Sequence, residues 1–263
     1  MTRGPFTSFL WAALACSACG SKTGLLVEVD EADAGEQPGC QADDECETCT
    51  LVAVSLDAGY GSTCVIRVDG TVACWGVDAS GQARPPEGSF SMVSTGVAHS
   101  CGVREDGTVA CWGRDEHGES SPPEGRFAAV SAGNEHTCGL RDDGTLTCWG
   151  AGPLGDWTPP PGVFSAVSVG DEHACAVRDD GVMECWGAGN WERASPPEGS
   201  FATVAAGDYH TCALRVDGTV ACWGRDDEGQ ASPPGGTFAM VTAGERHSCG
   251  LRADGTAECW GSN

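Results

Sequence analysis

From about residue 51 the apolar positions of this chain fall in short runs parted by glycine-rich turns, and the runs come in threes. In one unit, Phe127 to Ser131 alternates weakly and ends at Ala132-Gly133. His136 to Arg141 is the second run and Thr145 to Trp149 the third. Period-two runs bounded by turn residues predict three strands per unit. Asp142-Asp143-Gly144 fits a three-residue hairpin loop whose Gly takes the left-handed conformation and forms a bulge. That loop pairs Arg141 with Thr145. Counting outward, Leu140 faces Leu146 and Cys138 faces Cys148.

The unit repeats in six copies without insertion or deletion. Cys64, Cys101, Cys138, Cys175, Cys212 and Cys249 are 37 residues apart, and so are Cys74, Cys111, Cys148, Cys185, Cys222 and Cys259. Each of the second set precedes Trp-Gly, and an Asp-Gly lies between the two Cys of every copy. The hairpin count places each Cys pair at a non-hydrogen-bonded position, where Cα atoms lie about 4.5 Å apart, within disulfide reach. Six disulfides within hairpins are therefore expected, 64–74 through 249–259. Each closes a short loop and contributes about 2–3 kcal/mol at most. Each hairpin offers only two thiols, so a metal site is not expected there.

A three-stranded sheet has two apolar faces and cannot bury both alone. Stacking such sheets around an axis solves this. The expected fold is all-β, a β-propeller of six three- to four-stranded blades with one 37-residue repeat per blade. The repeated Trp is the natural wedge between blades. Pro-Pro pairs, from Pro85-Pro86 to Pro233-Pro234, stiffen the connectors. The first copy is atypical, with Ala53 for the repeated Phe and Ser62 for the repeated His.

Composition changes the picture in two ways. Seventeen cysteines are far more than a reducing compartment ordinarily tolerates, so export is expected. Acidic residues outnumber Lys and Arg 38 to 14, and Lys22 is the only lysine. Such a surface repels phosphate, which argues against nucleic acid and anionic membranes as partners.

Ahead of the repeats, Arg3 precedes an apolar run from Phe6 to Ala15. The run has the length of a signal-peptide core and is too short to span a bilayer. It ends in Ala13-Leu14-Ala15-Cys16, small residues before a Cys as in a bacterial lipobox. Cys16 is the expected lipidation site. Cys19 is the alternative, though Cys16 would then occupy the usual Leu position. An ordinary cleaved signal peptide without lipid is the plainer reading. Residues 1–16 are thus read as a signal peptide with lipobox, 17–50 as a tether and 51–263 as the propeller. The tether carries nine acidic residues from Glu28 to Glu47, without buriable surface. It also holds Cys40, Cys46 and Cys49, for which sulfur pairing is the default.

The unit F-A-A-V-S-A-G-N-E-H-T-C-G-L-R-D-D-G-T-L-T-C-W-G resembles the regulator-of-chromosome-condensation repeat. The likeness rests on A-G-x-x-H, L-R-x-D-G-T, and W-G followed by G-Q, as at Gly81-Gln82 and Gly229-Gln230. It runs over about residues 51–263. The compact unit is most similar to bacterial members, among them a secreted inhibitor of β-lactamases. The resemblance implies a propeller that binds proteins through loops on one face, and it does not imply catalysis. Family rings usually have seven blades, whereas six units are present here, so the ring closes with six or is strained or open. Nucleotide exchange, the activity of the nuclear member, needs a GTPase partner and does not suit an exported acidic chain.

The repeated His (His99, His136, His173, His210, His247) occurs once per blade, which favours a packing role over metal or acid–base chemistry. The repeated Arg beside the Asp-Gly turn, such as Arg67 or Arg104, is expected to pair with the turn Asp. Function is expected where the copies differ. The first strand of each unit rises to the A-G-x-x-H loop, the second descends to the Asp-Gly turn, and the third rises again to Trp-Gly. The A-G-x-x-H loops and the starts of the connectors therefore share one rim. Partner-binding candidates there are Tyr60, Glu135, Glu172, Tyr209, Arg246, His117, Trp157 and Trp191. Aromatic side chains among acids suit a protein-binding surface. Each could instead fold onto its own blade. No phosphate loop, nucleophile elbow or zinc-protease helix is present, so no catalytic residue, metal or cofactor is assigned.

The expected function is a non-enzymatic protein-binding scaffold with an unidentified protein partner. The chain is expected to be a monomer, lipid-anchored at the cell envelope (outer membrane, periplasm or cell surface), with membrane contact through the anchor alone. A carbohydrate-binding or adhesive module is the alternative, and a propeller hydrolase a more distant one.

Overall fold

The computed structural model describes residues 53–150, 157–187 and 195–262, with the backbone of a short ladder pairing β1 (Ala15–Cys16) with β2 (Lys22–Thr23). The Cys16 side chain, Cys19, Cys40, Cys46, Cys49 and Trp191 lie outside the described residues.

Six three-stranded antiparallel sheets follow in sequence, each with its second strand in the middle. Blade one holds β3 (Ala53–Ala58), β4 (Ser62–Arg67) and β5 (Val72–Gly76). Blade two holds β6 (Phe90–Thr95), β7 (His99–Arg104) and β8 (Val109–Gly113). Blade three holds β9 (Phe127–Ala132), β10 (His136–Arg141) and β11 (Leu146–Gly150). Blade four holds β12 (Phe164–Val169), β13 (His173–Arg178) and β14 (Met183–Gly187). Blade five holds β15 (Phe201–Ala206), β16 (His210–Arg215) and β17 (Val220–Gly224). Blade six holds β18 (Met240–Ala243), β19 (His247–Leu251) and β20 (Ala257–Gly261). First strands of successive blades lie side by side, so they line the axis of the arc.

The hairpin register is the expected one. Leu140 pairs with Leu146 and Cys138 with Cys148, and Gly144 sits at φ 83°. All six disulfides form across these hairpins, with Cα–Cα separations of 4.0 to 4.1 Å.

The core lies between blades rather than within them. Cys64, Ile66 and Val72 of blade one pack on Phe90, Val93 and Trp112 of blade two. The same exchange recurs downstream, as where Cys175, Val177 and Met183 meet Phe201, Val204 and Trp223. A polar clamp accompanies it. His99 Nε2 lies 2.7 Å from the Thr137 hydroxyl of the next blade, and His173 and His210 reach Thr211 and Ser248 at 2.6 Å. The Thr137 hydroxyl donates to the Glu119 carbonyl at 3.2 Å, and Trp149 Nε1 donates to the same oxygen at 3.0 Å. Gln230 receives Ser248 and Trp260 in the same way. With the hydroxyl proton committed to the carbonyl, the histidine donates from Nε2, and burial, which lowers His99 and His210 to about 4, keeps the ring neutral as the Nε2–H tautomer. Its Nδ1 faces no hydrogen-bond partner at His99 or His210.

The repeated Arg does not pair with the turn Asp as expected. Arg104 lies over the Phe90 ring at 4.8 Å and donates to the Glu87 carbonyl at 3.0 Å. Arg141, Arg178, Arg215 and Arg252 lie over Phe127, Phe164, Phe201 and Phe238 in the same way. Cation–π contact and a carbonyl acceptor hold the guanidinium on the sheet. The turn Asp serves the hairpin instead. Asp106 accepts from the Thr108 amide at 2.9 Å and from its hydroxyl at 2.6 Å, and these bonds hold its carboxyl below the usual range.

The arc does not close on itself. Successive blades pack from one to six, but among the described residues no such packing joins blade six to blade one. His247 is exposed, whereas His99, His136, His173 and His210 are fully buried. Leu56 of blade one is 47% exposed, while its counterparts Val93 and Val130 are buried.

Two predictions follow from the clamp. Thr137→Val keeps the shape but removes the acceptor for His99, and should lower the unfolding free energy by about 1–3 kcal/mol in urea titration. The buried histidines should also make the fold acid-sensitive. Burial lowers His99 and His210 to about 4 and His136 to about 3. These groups contribute stability fully above their unfolded value of about 6.5 and lose it as pH falls toward the folded values. Asp57 opposes them, since burial raises it to about 6 from 3.8 and its protonation favours the fold as pH drops through that window. Three groups act against one, so the denaturation midpoint should be level above pH 7 and fall steadily from about 6.5 to 4.

Candidate partner-binding rim

The A-G-x-x-H loops gather at one end of the arc because the backbone there tolerates no side chain. A Cβ on Gly59, Gly96, Gly133, Gly170 or Gly207 would collide with the carbonyl oxygen of the equivalent glycine in the next blade. Each loop closes with a hydrogen bond such as Gly96 N to His99 O at 2.9 Å. The connector after each Trp-Gly begins beside the same loop. Arg114 N donates to Ala98 O, Arg225 N to Tyr209 O and Ser262 N to Arg246 O, each at 2.9 Å. Loops and connector starts therefore form one rim, as the strand directions require.

Exposed on this rim are Tyr60 (65%), His117 and Arg246. Glu135, Glu172 and Tyr209 are half-buried. The rim's cations are drawn into local pairs. Arg114 Nε bonds Glu119 at 2.7 Å and its Nη2 reaches the Asn134 carbonyl at 2.9 Å and Glu135 at 3.6 Å. Arg225 bonds Asp227 at 2.5 Å and lies over the Tyr209 ring at 5.4 Å. Arg246 lies 3.1 Å from Glu245 and 3.9 Å from Glu228. Asn134 Nδ2 donates to Asp171 at 2.7 Å, linking two loops.

Glu119 was not singled out by the sequence, yet its side chain is fully buried under this rim. Burial pushes its carboxyl up. Backbone amides, including that of His117 at 2.8 Å, and the Arg114 guanidinium outweigh that and hold it below the usual range. Its place in the G-Q motif was the available signal, since Glu119 stands where Gln82 and Gln230 stand.

Trp157 is placed differently from the expectation. Its ring lies on His136, with centroids 3.3 Å apart, and packs with Trp186 and Val169. Blade four has Ala174 where other blades carry Ser100, Thr137, Thr211 or Ser248, so His136 Nε2 has no hydroxyl to meet. Trp157 covers that imidazole, at a position held by Ala83, Ser120 and Ala231 in other connectors. It is a plug in the junction between blades three and four. Among the described residues no cluster of three His, Cys, Asp or Glu side chains is arranged to hold a metal ion.

The architecture defines a β-propeller built from one disulfide-bonded hairpin unit. The model of the regulator of chromosome condensation (RCC1) repeat matches residues 93–119, 127–155, 201–230 and 241–263. Four stretches of the chain thus carry the regulator-of-chromosome-condensation repeat. No curated protein matches the sequence. Among solved structures, it is similar to the ectodomain of the Physcomitrella patens receptor kinase CR4. The identity is 27% and the TM-score 0.71, over 81% of this chain and 62% of that one. The chain therefore spans less than two thirds of that ectodomain. The CRINKLY ectodomain of the Arabidopsis thaliana receptor kinase ACR4 is also 27% identical, with TM-score 0.68 over 80% of each chain. Prp20p of Saccharomyces cerevisiae shares the fold at 16% identity and TM-score 0.70, over 80% of this chain and 72% of that one. Six disulfides and two ectodomain likenesses point to an extracellular setting.

Trp157→Ala should expose His136 and open a cavity at one junction, costing about 3–5 kcal/mol in the unfolding free energy if the site cannot collapse. Tyr60→Ala, on an exposed loop side chain, should change it by less than about 0.5 kcal/mol.

Proposed function

We propose that this chain is an exported scaffold that binds a protein partner through the rim carrying Tyr60, His117, Tyr209 and Arg246. The observation that carries the reading is the division of labour along each repeat. The recurring Phe, Cys, His and Trp are used up in the junctions, while the varying residues of the A-G-x-x-H loops and connector starts, apart from the Trp157 plug, stand on one rim of the arc. Aromatic and arginine side chains set among carboxylates suit a protein surface with exposed cations. Prp20p, of the same fold, is described as binding Gsp1p and histones, so protein recognition on such a propeller has precedent. The rim of this chain differs in sequence, and its partner is its own.

Cys16, with Cys19 as the alternative, anchors the chain by lipid at the cell envelope, and the acidic stretch 17–50 spaces the propeller from the membrane. Catalysis has no part in this reading, and no cofactor is needed. Labelled palmitate should enter the protein made in a bacterial host and disappear with Cys16→Ala. Incorporation that survives Cys16→Ala and stops with Cys19→Ala moves the anchor.

The rim is tested by photo-crosslinking in the native cell. Replacing Tyr60, Tyr209 and Arg246 together by Ala should abolish the partner adduct while leaving the melting temperature unchanged. An adduct that persists in the triple variant removes this rim as the binding surface.

A further inference from the structure

Five of the six disulfides lie in junctions, with one cysteine of each covered by the next blade. Cys64, Cys101, Cys138, Cys175 and Cys212 have no exposed surface, and their partners are half-buried. The next blade lies directly on the sulfur. Cys101 Sγ is 3.8 Å from the Thr137 hydroxyl, and Cys212 Sγ is 3.3 Å from that of Ser248. Cys64 packs against Phe90, Val93 and Trp112. The sixth pair stands on the face that no blade covers. Cys259 is exposed and Cys249 half-buried, beside exposed His247 and Ala257. Ala257 also replaces the larger Val72, Val109, Leu146, Met183 and Val220 of the other blades, which leaves the bridge still barer.

We propose that the Cys249–Cys259 disulfide is a redox-addressable site, open to a dithiol reductant while the other five bridges stay closed. Thiol–disulfide exchange needs a thiolate to reach a sulfur along the line of the bond, so access decides the rate among chemically similar bridges. At the five junctions one sulfur is fully covered by the next blade and the other is half-buried, which hinders that approach. At blade six the thiolate attacks Cys259 Sγ. The bond to Cys249 breaks and its electron pair leaves as the Cys249 thiolate. The second thiol of the reductant then attacks its own sulfur in the mixed disulfide and releases the Cys259 thiolate. The reductant is oxidised to a cyclic disulfide, the bridge gains two electrons, and each protein thiolate takes up a proton. The product is a blade six whose β19 and β20 are held by the ladder alone.

The test uses the full chain with its disulfides intact. Millimolar dithiothreitol at neutral pH, quenched over time with an alkylating agent, is followed by peptide mass spectrometry of the twelve repeat cysteines. Cys249 and Cys259 should be labelled at least about tenfold faster than any other repeat pair, since the ratio of rates reports how far the next blade hinders the covered bridges. In the double variant Cys249→Ser, Cys259→Ser the fast phase should vanish from the repeat cysteines, with the other five rates unchanged. One common rate for all six bridges, or any other repeat pair reacting first, overturns the assignment. So does a fast phase among the repeat cysteines that survives the double variant.

Discussion

Each sheet of this protein gathers its disulfide and its aliphatic residues on one face, joined from the second sheet on by a histidine, and only the next sheet can cover them. That face is too apolar to meet water and too small to form a core alone. The matching face of the next blade supplies Phe, Val and Trp and, except at Ala174 of blade four, a hydroxyl. Burial of these groups is the main favourable term in the fold, and the histidine–hydroxyl–carbonyl relay adds direction to it. Because a buried imidazole sits in each junction from blade two to blade six, the packing that holds those blades together also sets their response to acid.

The same logic explains the two ends of the arc. Among the described residues no blade covers the apolar face of blade six, and none lies beneath the covering face of blade one. Both are trimmed. Ala53 stands where later blades have Phe, and Ala257 stands where earlier blades have Val, Leu or Met. Repeat arrays soften their terminal faces in this way, since an untrimmed end exposes apolar surface to water or to other chains. Leu56 and His247 keep the character of the interior units. The ends are therefore modified blades rather than a different structure.

A scaffold held at its junctions leaves its rim free to vary. The glycines of the A-G-x-x-H loops bring six backbones close together, and the two residues after each glycine escape the repeat. Trp157 shows where that freedom stops. It looks like a rim residue by position, but the missing hydroxyl at Ala174 turned it inward to cover His136. The irregular residue of one blade is met by the irregular residue of the connector that precedes it.

What the sequence by itself determined is local or periodic. The loop length at Asp142-Asp143-Gly144 placed Cys138 opposite Cys148, and the 37-residue period carried that register to every blade. The shared rim followed from strand direction alone. What the tertiary structure decided concerns partners in different sheets or far along one sheet. Arg104 lies over Phe90 rather than beside its turn Asp, because the fold of the sheet brings the ring under the guanidinium. His99 meets Thr137, 38 residues on, because of how one blade is set against the next. The open junction, the bare sulfur of Cys259 and the inward turn of Trp157 depend on the same inter-blade geometry. No spacing along a single repeat encodes the angle between two blades, so only their packing could settle which faces are covered.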